Sequence, residues 1–153
     1  MAVPRDNPYN GFNFQVIVDR IGGGNGQSIE AGFQEVSGLG MEIAVSEYRN
    51  GNEPVNHVRK IYGMDKYSDV TLKRGLIGRI EFYDWLKEIR EGSQAARRTV
   101  TIRLMDEAHT GPVMTWILIQ AFPNKYTGPS LIAKGNEVAI EELVLAYEQL
   151  NIE

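Results

Sequence analysis

Apolar residues recur at every second position through most of this chain, and a period of two admits little except extended strands. In segment 12–19, Phe12, Phe14, Val16 and Val18 share one face, Asn13, Gln15 and Asp19 share the other, and Ile17 is the exception. Segment 28–36 sets Ile29, Ala31 and Phe33 against Glu30 and Gln34 as one further strand. Met41, Ile43 and Val45 alternate with Glu42, Ala44 and Ser46, and Val100, Ile102 and Leu104 oppose Thr99, Thr101 and Arg103. Residues 68–74 read as another strand. Residues 113–122 are apolar on both faces, as expected of a central strand covered twice.

One stretch breaks the period. Between residues 76 and 91, Phe82, Trp85, Leu86 and Ile89 recur at spacings of three and four, which makes one helical stripe. Glu81, Asp84, Lys87, Glu88 and Glu91 face water, and Gly92 follows as the C′ residue. The strands are punctuated by a glycine-rich turn over 22–26, by Ser37-Gly38-Leu39-Gly40, and by 123–135, whose prolines and glycines read as a loop. Residues 136–150 stay open. Val138 and Ile140 alternate, and Leu143, Leu145 and Tyr147 resume on the opposite parity, so either a bulge sits at Glu141-Glu142 or 141–150 is helical. The sum is seven or eight strands with one helix after the fifth. That is a mainly β barrel or sandwich, with the helix packed outside, in a single domain over 1–153.

The segment 41–62 forms a hairpin through Tyr48-Arg49-Asn50-Gly51-Asn52-Glu53-Pro54, where Asn-Gly is the turn signal and Pro54 cannot donate to a ladder. Its return arm, with Asn56, His57, Arg59 and Lys60, is polar on both faces and buries little on its own subunit. A two-stranded hairpin is marginal in water, so this one leans on something else.

Chemistry is mostly excluded. The 153 residues hold no cysteine, which removes disulfide scaffolds, thiolate metal sites and cysteine nucleophiles. A net charge of −4 argues against a surface built to grip nucleic acid or anionic lipid. The first eight residues contain no apolar run, so no export signal is expected, and the longest strongly apolar run, 116–119, is far too short to span a membrane. The glycine turn lacks the Lys-Ser/Thr of a phosphate loop, because Gly26 is followed by Gln27-Ser28, and it precedes a strand where a helix is needed. His57 and His109 each have too few partners for a metal site. Ser37-Gly38 lacks the nucleophile elbow, because Glu35 replaces its first glycine. Glu141 and Glu142 point to opposite faces of a strand and do not flank one bond. Arg97-Arg98 and Lys73-Arg74 are pairs, not a basic patch. No catalytic residue, metal or cofactor is expected. What remains is surplus adhesive surface, which strand pairing between subunits would satisfy in a closed ring or an open filament.

Several blocks carry a resemblance. Phe33-Gln34-Glu35-Val36-Ser37-Gly38-Leu39, Glu47-Tyr48-Arg49-Asn50-Gly51, and Val70-Thr71-Leu72-Lys73-Arg74-Gly75 before the Phe82/Trp85 helix come in order. Trp116 with Ala121-Phe122-Pro123-Asn124-Lys125-Tyr126 follows, and Asn136-Glu137-Val138-Ala139-Ile140-Glu141-Glu142-Leu143 completes the set. Over nearly its whole length the chain resembles the tail tube proteins of contractile phages and phage-tail-like injection systems, with the type VI secretion tube protein as a structural relative. The 22–26 turn is not part of that pattern.

The resemblance implies hexameric rings whose subunits share strands in one lumenal β-barrel, with the helix outside. Rings stack into a tube inside a sheath, and contraction drives the tube through a target envelope. It implies a strand for the last segment, and a hairpin at Tyr48, Arg49, Asn50, Gly51, Asn52, Glu53 and Pro54 that reaches the neighbouring ring. The polar parity sets become the lumen candidates: Glu30 and Gln34, Glu42 and Ser46, and Thr99, Thr101 and Arg103. A lumen sharing the chain's acidity would let nucleic acid slide. Implied partners are further copies of the chain, a sheath protein, baseplate tube-initiator and terminator proteins, and cargo (DNA or toxin), with no membrane anchor and with assembly in the bacterial cytoplasm. A baseplate initiator or terminator of the same fold is the second reading, and a monomeric ligand-binding or enzymatic barrel the third.

Overall fold

A computed structural model describes residues 5–19, 29–76, 78, 81–92 and 94–153; the glycine turn at 22–26 lies outside them. The chain is mainly β with one helix. In order come β1 (Phe14–Val18), β2 (Ile29–Ala31), β3 (Glu35–Ser37), β4 (Met41–Tyr48), β5 (Arg59–Tyr67) and β6 (Val70–Gly75). After them come α1 (Glu81–Arg90), β7 (Arg98–Met105), β8 (Pro112–Thr127), β9 (Ile140–Ala146) and β10 (Gln149–Ile152). Among the described residues there are ten strands rather than seven or eight, because 28–36 and 136–150 each divide in two.

All the ladders are antiparallel, in the order β2-β1-β7-β8-β9-β6-β3, with β10 on the first part of β8. The ends of this path, β2 and β3, are joined by residues 32–34 alone. Six strand spacings of about 4.8 Å would separate them by about 29 Å in a flat sheet, and four residue steps reach about 14 Å at most. The sheet must therefore roll. The expected single strand over 28–36 is instead a link between its two ends, with β2 on β1 and β3 on β6.

The roll turns at β8. Its first part pairs with β7 and β10, and its last part pairs with β9. Gln120 lies at the junction with φ 56°, and the register against β7 slips between Arg98 and Val100. A second slip follows Pro123, which has no N–H to place in a regular ladder. Residues 123–127, expected as loop from their proline, are thus strand.

The core fills the interior of the roll. Val16, Val18, Val100, Ile102 and Leu118 come from one side, Val70, Leu72, Leu143 and Leu145 from the other, and Phe82 and Trp85 enter from α1. The helix begins at Glu81, later than the expected 76, and Gly92 (φ 85°) ends it. Phe82 and Trp85 are buried, while Leu86 and Ile89 are half-buried. Trp85 Nε1 donates to the Ala96 carbonyl at 2.7 Å. Among the described residues, no helix is long and apolar enough to cross a membrane.

The final segment is strand, and no bulge sits at Glu141-Glu142. The β6–β9 register runs unbroken from Gly75↔Ile140 to Val70↔Leu145. Glu141 itself shares the inward parity of Leu143 and Leu145, with Val138 and Ile140 turned outward. A carboxylate in the core needs a partner, and Arg74 Nε donates to Glu141 Oε1. Tyr126 O–H donates to Glu141 Oε2 at 2.8 Å, the Arg74 guanidinium lies 3.8 Å from the centre of the Phe82 ring, and Phe82 stacks on Phe33 at 5.6 Å. The cluster ties the 32–34 link, β6, α1, β8 and β9 together.

Candidate functional site

The feature without a partner is the hairpin. Among the described residues β4 and β5 pair only with each other, and nearly every residue on them is exposed. The hairpin continues the β3–β6 ladder beyond its end: Ser37 opposes Thr71, Ser68 N–H donates to the Gly40 carbonyl at 3.1 Å, and Met41 opposes Tyr67. At this root Gly38 has φ 89°, and a Cβ there would lie 2.2 Å from the Asp69 carbonyl oxygen, so only glycine fits. Eight residues of β4 at about 3.4 Å each carry the tip about 27 Å from the root, clear of the core.

The register divides the hairpin into two faces. Met41, Ile43 and Val45 share one with their partners Tyr67, Asp65 and Tyr62, after a slip between Ile43 and Val45. Glu42 opposite Lys66, Ser46 opposite Ile61 and Tyr48 opposite Arg59 share the other. The return arm over 59–62 is mixed on both faces, with Lys60 and Tyr62 on one and Arg59 and Ile61 on the other. β5 runs on past it to Tyr67, and the face of Met41, Ile43 and Val45 is mostly apolar, interrupted by Asp65 and by Glu47 opposite Lys60, with Tyr62 84% exposed. A sequence reading that ended the arm at Tyr62 lacked the register that sets Tyr62 beside Val45.

The tip is held by its own hydrogen bonds and an ion pair. Instead of a two-residue Asn-Gly turn, residues 49–58 connect the strands, and Glu53 N–H donates to the Asn50 carbonyl across Gly51 and Asn52. Arg49 donates to the carbonyls of Glu53 (3.0 Å) and Val55 (3.2 Å), Tyr48 O–H donates to Asn50 Oδ1, and Arg59 pairs with Glu53 at 3.0 Å. Pro54, Val55 and Val58 stay exposed.

The lumen candidates do not share one surface. Thr99, Thr101 and Arg103 alternate with buried Arg98, Val100 and Ile102 on β7. In register, Arg103 lies between Gln15 and Thr115, and Thr101 between Ile17 and Ile117, with Asn151 of β10 beyond. Glu30 of β2 pairs with Ile17 and extends that row. Glu42 and Ser46 stand on the hairpin. Gln34 is exposed in the 32–34 link, because the strand expected to hold it with Glu30 divides into β2 and β3.

Titratable chemistry is sparse. Burial, then the hydrogen bond to Glu141, holds the Tyr126 phenol above its ordinary range. Two hydrogen bonds from Thr110 hold the Asp106 carboxyl below its own range, in the turn that carries His109. Among the described residues, no three His, Asp or Glu side chains converge as metal ligands.

A rolled β subunit with an outstretched, half-apolar hairpin presents a surface open to a partner. The T4-like virus tail tube protein family, gp19, matches residues 10–151, and the chain belongs to it. Its fold matches a chain of the sheath-tube complex of an extracellular contractile injection system, PVC, in the extended state. The two are 30% identical with a TM-score of 0.81, over 97% of this chain and 93% of that one. A chain of the anti-feeding prophage baseplate is 25% identical with a TM-score of 0.83, over 97% of each chain. Hcp1 from Flavobacterium johnsoniae shares the fold alone, at 9% identity and a TM-score of 0.53, over 91% of this chain and 93% of that one. No curated protein sequence matches significantly.

Proposed function

We propose that the chain is the structural subunit of the inner tube in a contractile phage tail or tail-like injection particle. Six copies close into a ring, and rings stack into a hollow tube within a sheath protein. Contraction drives the tube through a target envelope. Family membership supports the tube, and the observation that carries the assembly is the hairpin, whose apolar face packs on its own subunit at Tyr67 and is exposed at Met41, Ile43, Val45 and Tyr62. Edge strands closed around a ring would leave no free edges.

The uncovered face of Thr99, Thr101 and Arg103, with Gln15, Thr115 and Asn151, is our choice for the channel wall. Glu42 and Ser46 would prolong it along the hairpin. That wall mixes polar side chains with Ile17 and Ile117 and carries Arg103, and the cargo that passes it is DNA or toxin. Assembly takes place in the bacterial cytoplasm, with a baseplate initiator below and a terminator above, and no residue of the chain works as a catalyst.

Deleting residues 50–54 tests the reading by negative-stain electron microscopy. Folded protein that no longer stacks is the expected result, and tubes of normal length would overturn the role of the hairpin. The likeness to a baseplate chain favours one second reading, a tube initiator of the same fold. Copy number in purified particles separates the two, because an initiator contributes a single ring and a tube subunit many.

A further inference from the structure

Large apolar side chains exposed on the described residues are not scattered. Nine of them (Met41, Ile43, Val45, Tyr48, Val55, Val58, Ile61, Tyr62 and Met64) are on the hairpin and its tip, and five more are Leu76, Leu131, Ile132, Val138 and Ile140. Only Phe12, Tyr83 and Ile152 fall outside the two groups. The register says where the second group lies. The hairpin leaves the β3–β6–β9 sheet at the end of Ser37, Thr71 and Leu145, and Gly75 and Ile140 pair at the other end. Leu76 N–H donates to the Ala139 carbonyl at 2.9 Å, which ties the 128–139 loop to that far end. Leu131 is 84% exposed there, on the rim of a groove of about 510 Å³ that also takes in Ile132, Gly135 and Ala139.

An assembly that repeats along one axis needs two different surfaces at opposite poles of each copy, the head-to-tail arrangement that does not close. This chain has one apolar group at each pole. We propose that the groove of the 128–139 loop is the receptor for the hairpin tip of a second copy in the adjacent ring, with Val55 and Val58 seated against Leu131, Ile132 and Val138. The proposal rests on the stacked-tube reading and adds the partner surface that the hairpin meets. Size agrees: the tip offers two small branched side chains on an internally hydrogen-bonded loop, so docking would order little additional chain.

The absence of cysteine makes the test direct. In a Val55→Cys, Leu131→Cys double variant, each copy carries one donor and one acceptor. Oxidising assembled tubes should link copies into a ladder on non-reducing gels that runs past the number of subunits in one ring. A ladder that stops at the ring number would put the contact between neighbours within a ring, and absence of links in intact tubes would remove the contact; either overturns the proposal. If the cysteine pair itself blocks assembly, Leu131→Asp with Ile132→Asp decides. Rings of normal diameter that no longer stack support the receptor, and normal tubes refute it. Should the 50–54 deletion abolish stacking while the aspartate pair stacks normally, only the receptor is wrong. Should the deletion leave tubes intact, the role of the hairpin in stacking has failed, and the receptor with it.

Discussion

Replacing Glu141 with Gln would leave the Arg74 guanidinium in the core without its carboxylate. The two side chains are 1% and 3% exposed, so water does not take over the lost partner. Breaking a buried pair on one side costs about 3–5 kcal/mol where the remaining charge has no other partner, and Arg74 keeps interactions beyond Glu141. The glutamine oxygen still accepts one hydrogen bond, and the Phe82 ring still faces the guanidinium, which places the loss near the lower bound, about 3 kcal/mol. For a chain of this size, each kcal/mol moves the midpoint by about 2–4 °C, so a fall of about 6–12 °C is expected. The assay is thermal and urea unfolding of the unassembled subunit at one fixed concentration, because assembly would add its own stabilisation. The comparison that isolates the charge is Arg74→Met with Glu141→Leu, an apolar replacement of similar volume that should return to within about 1–2 kcal/mol of the native chain. A loss below about 1 kcal/mol in Glu141→Gln would mean that Arg74 does not depend on the Glu141 carboxylate, and the account of the pair as the pin of the cluster would be wrong.

Gly38→Ala should cost at least about 2 kcal/mol, because a left-handed backbone and a clash with the Asp69 carbonyl act together. Hydrogen exchange should then rise across 41–67 before it rises in β7, and uniform protection would refute the hinge-like root. Tyr126, whose phenol is held up by burial and by Glu141, favours the protonated form in the folded state. Its contribution is complete below the ordinary phenol pKa of about 10 and is lost as pH rises through the higher folded value. Tyr126→Phe should therefore flatten the alkaline fall in stability measured from about pH 10 upward, and an unchanged profile would assign that fall elsewhere.

Local chemistry is what the sequence determined by itself. Alternation marked β1, β4 and β7, a run apolar on both faces marked the first part of β8, and the three-and-four spacing of Phe82, Trp85, Leu86 and Ile89 marked α1, because these patterns are set by the backbone within one segment. The ordered motif blocks carried the family. What tertiary structure alone decided was pairing over long sequence separations. Segment 28–36 alternates like one strand, yet it divides because the ends of a rolled sheet must be joined through 32–34. Pro123 reads as a loop residue until a bulge in β8 takes up its missing N–H. Glu141 looked like a break in parity, since a carboxylate counts as outward-facing in any one-dimensional reading. It faces inward because Arg74, 67 residues away, arrives on the neighbouring strand with Tyr126. The hairpin tip was legible as an Asn-Gly turn between strands. Its apolar face was not, because Val45 and Tyr62 meet only through a register slip that no local pattern encodes.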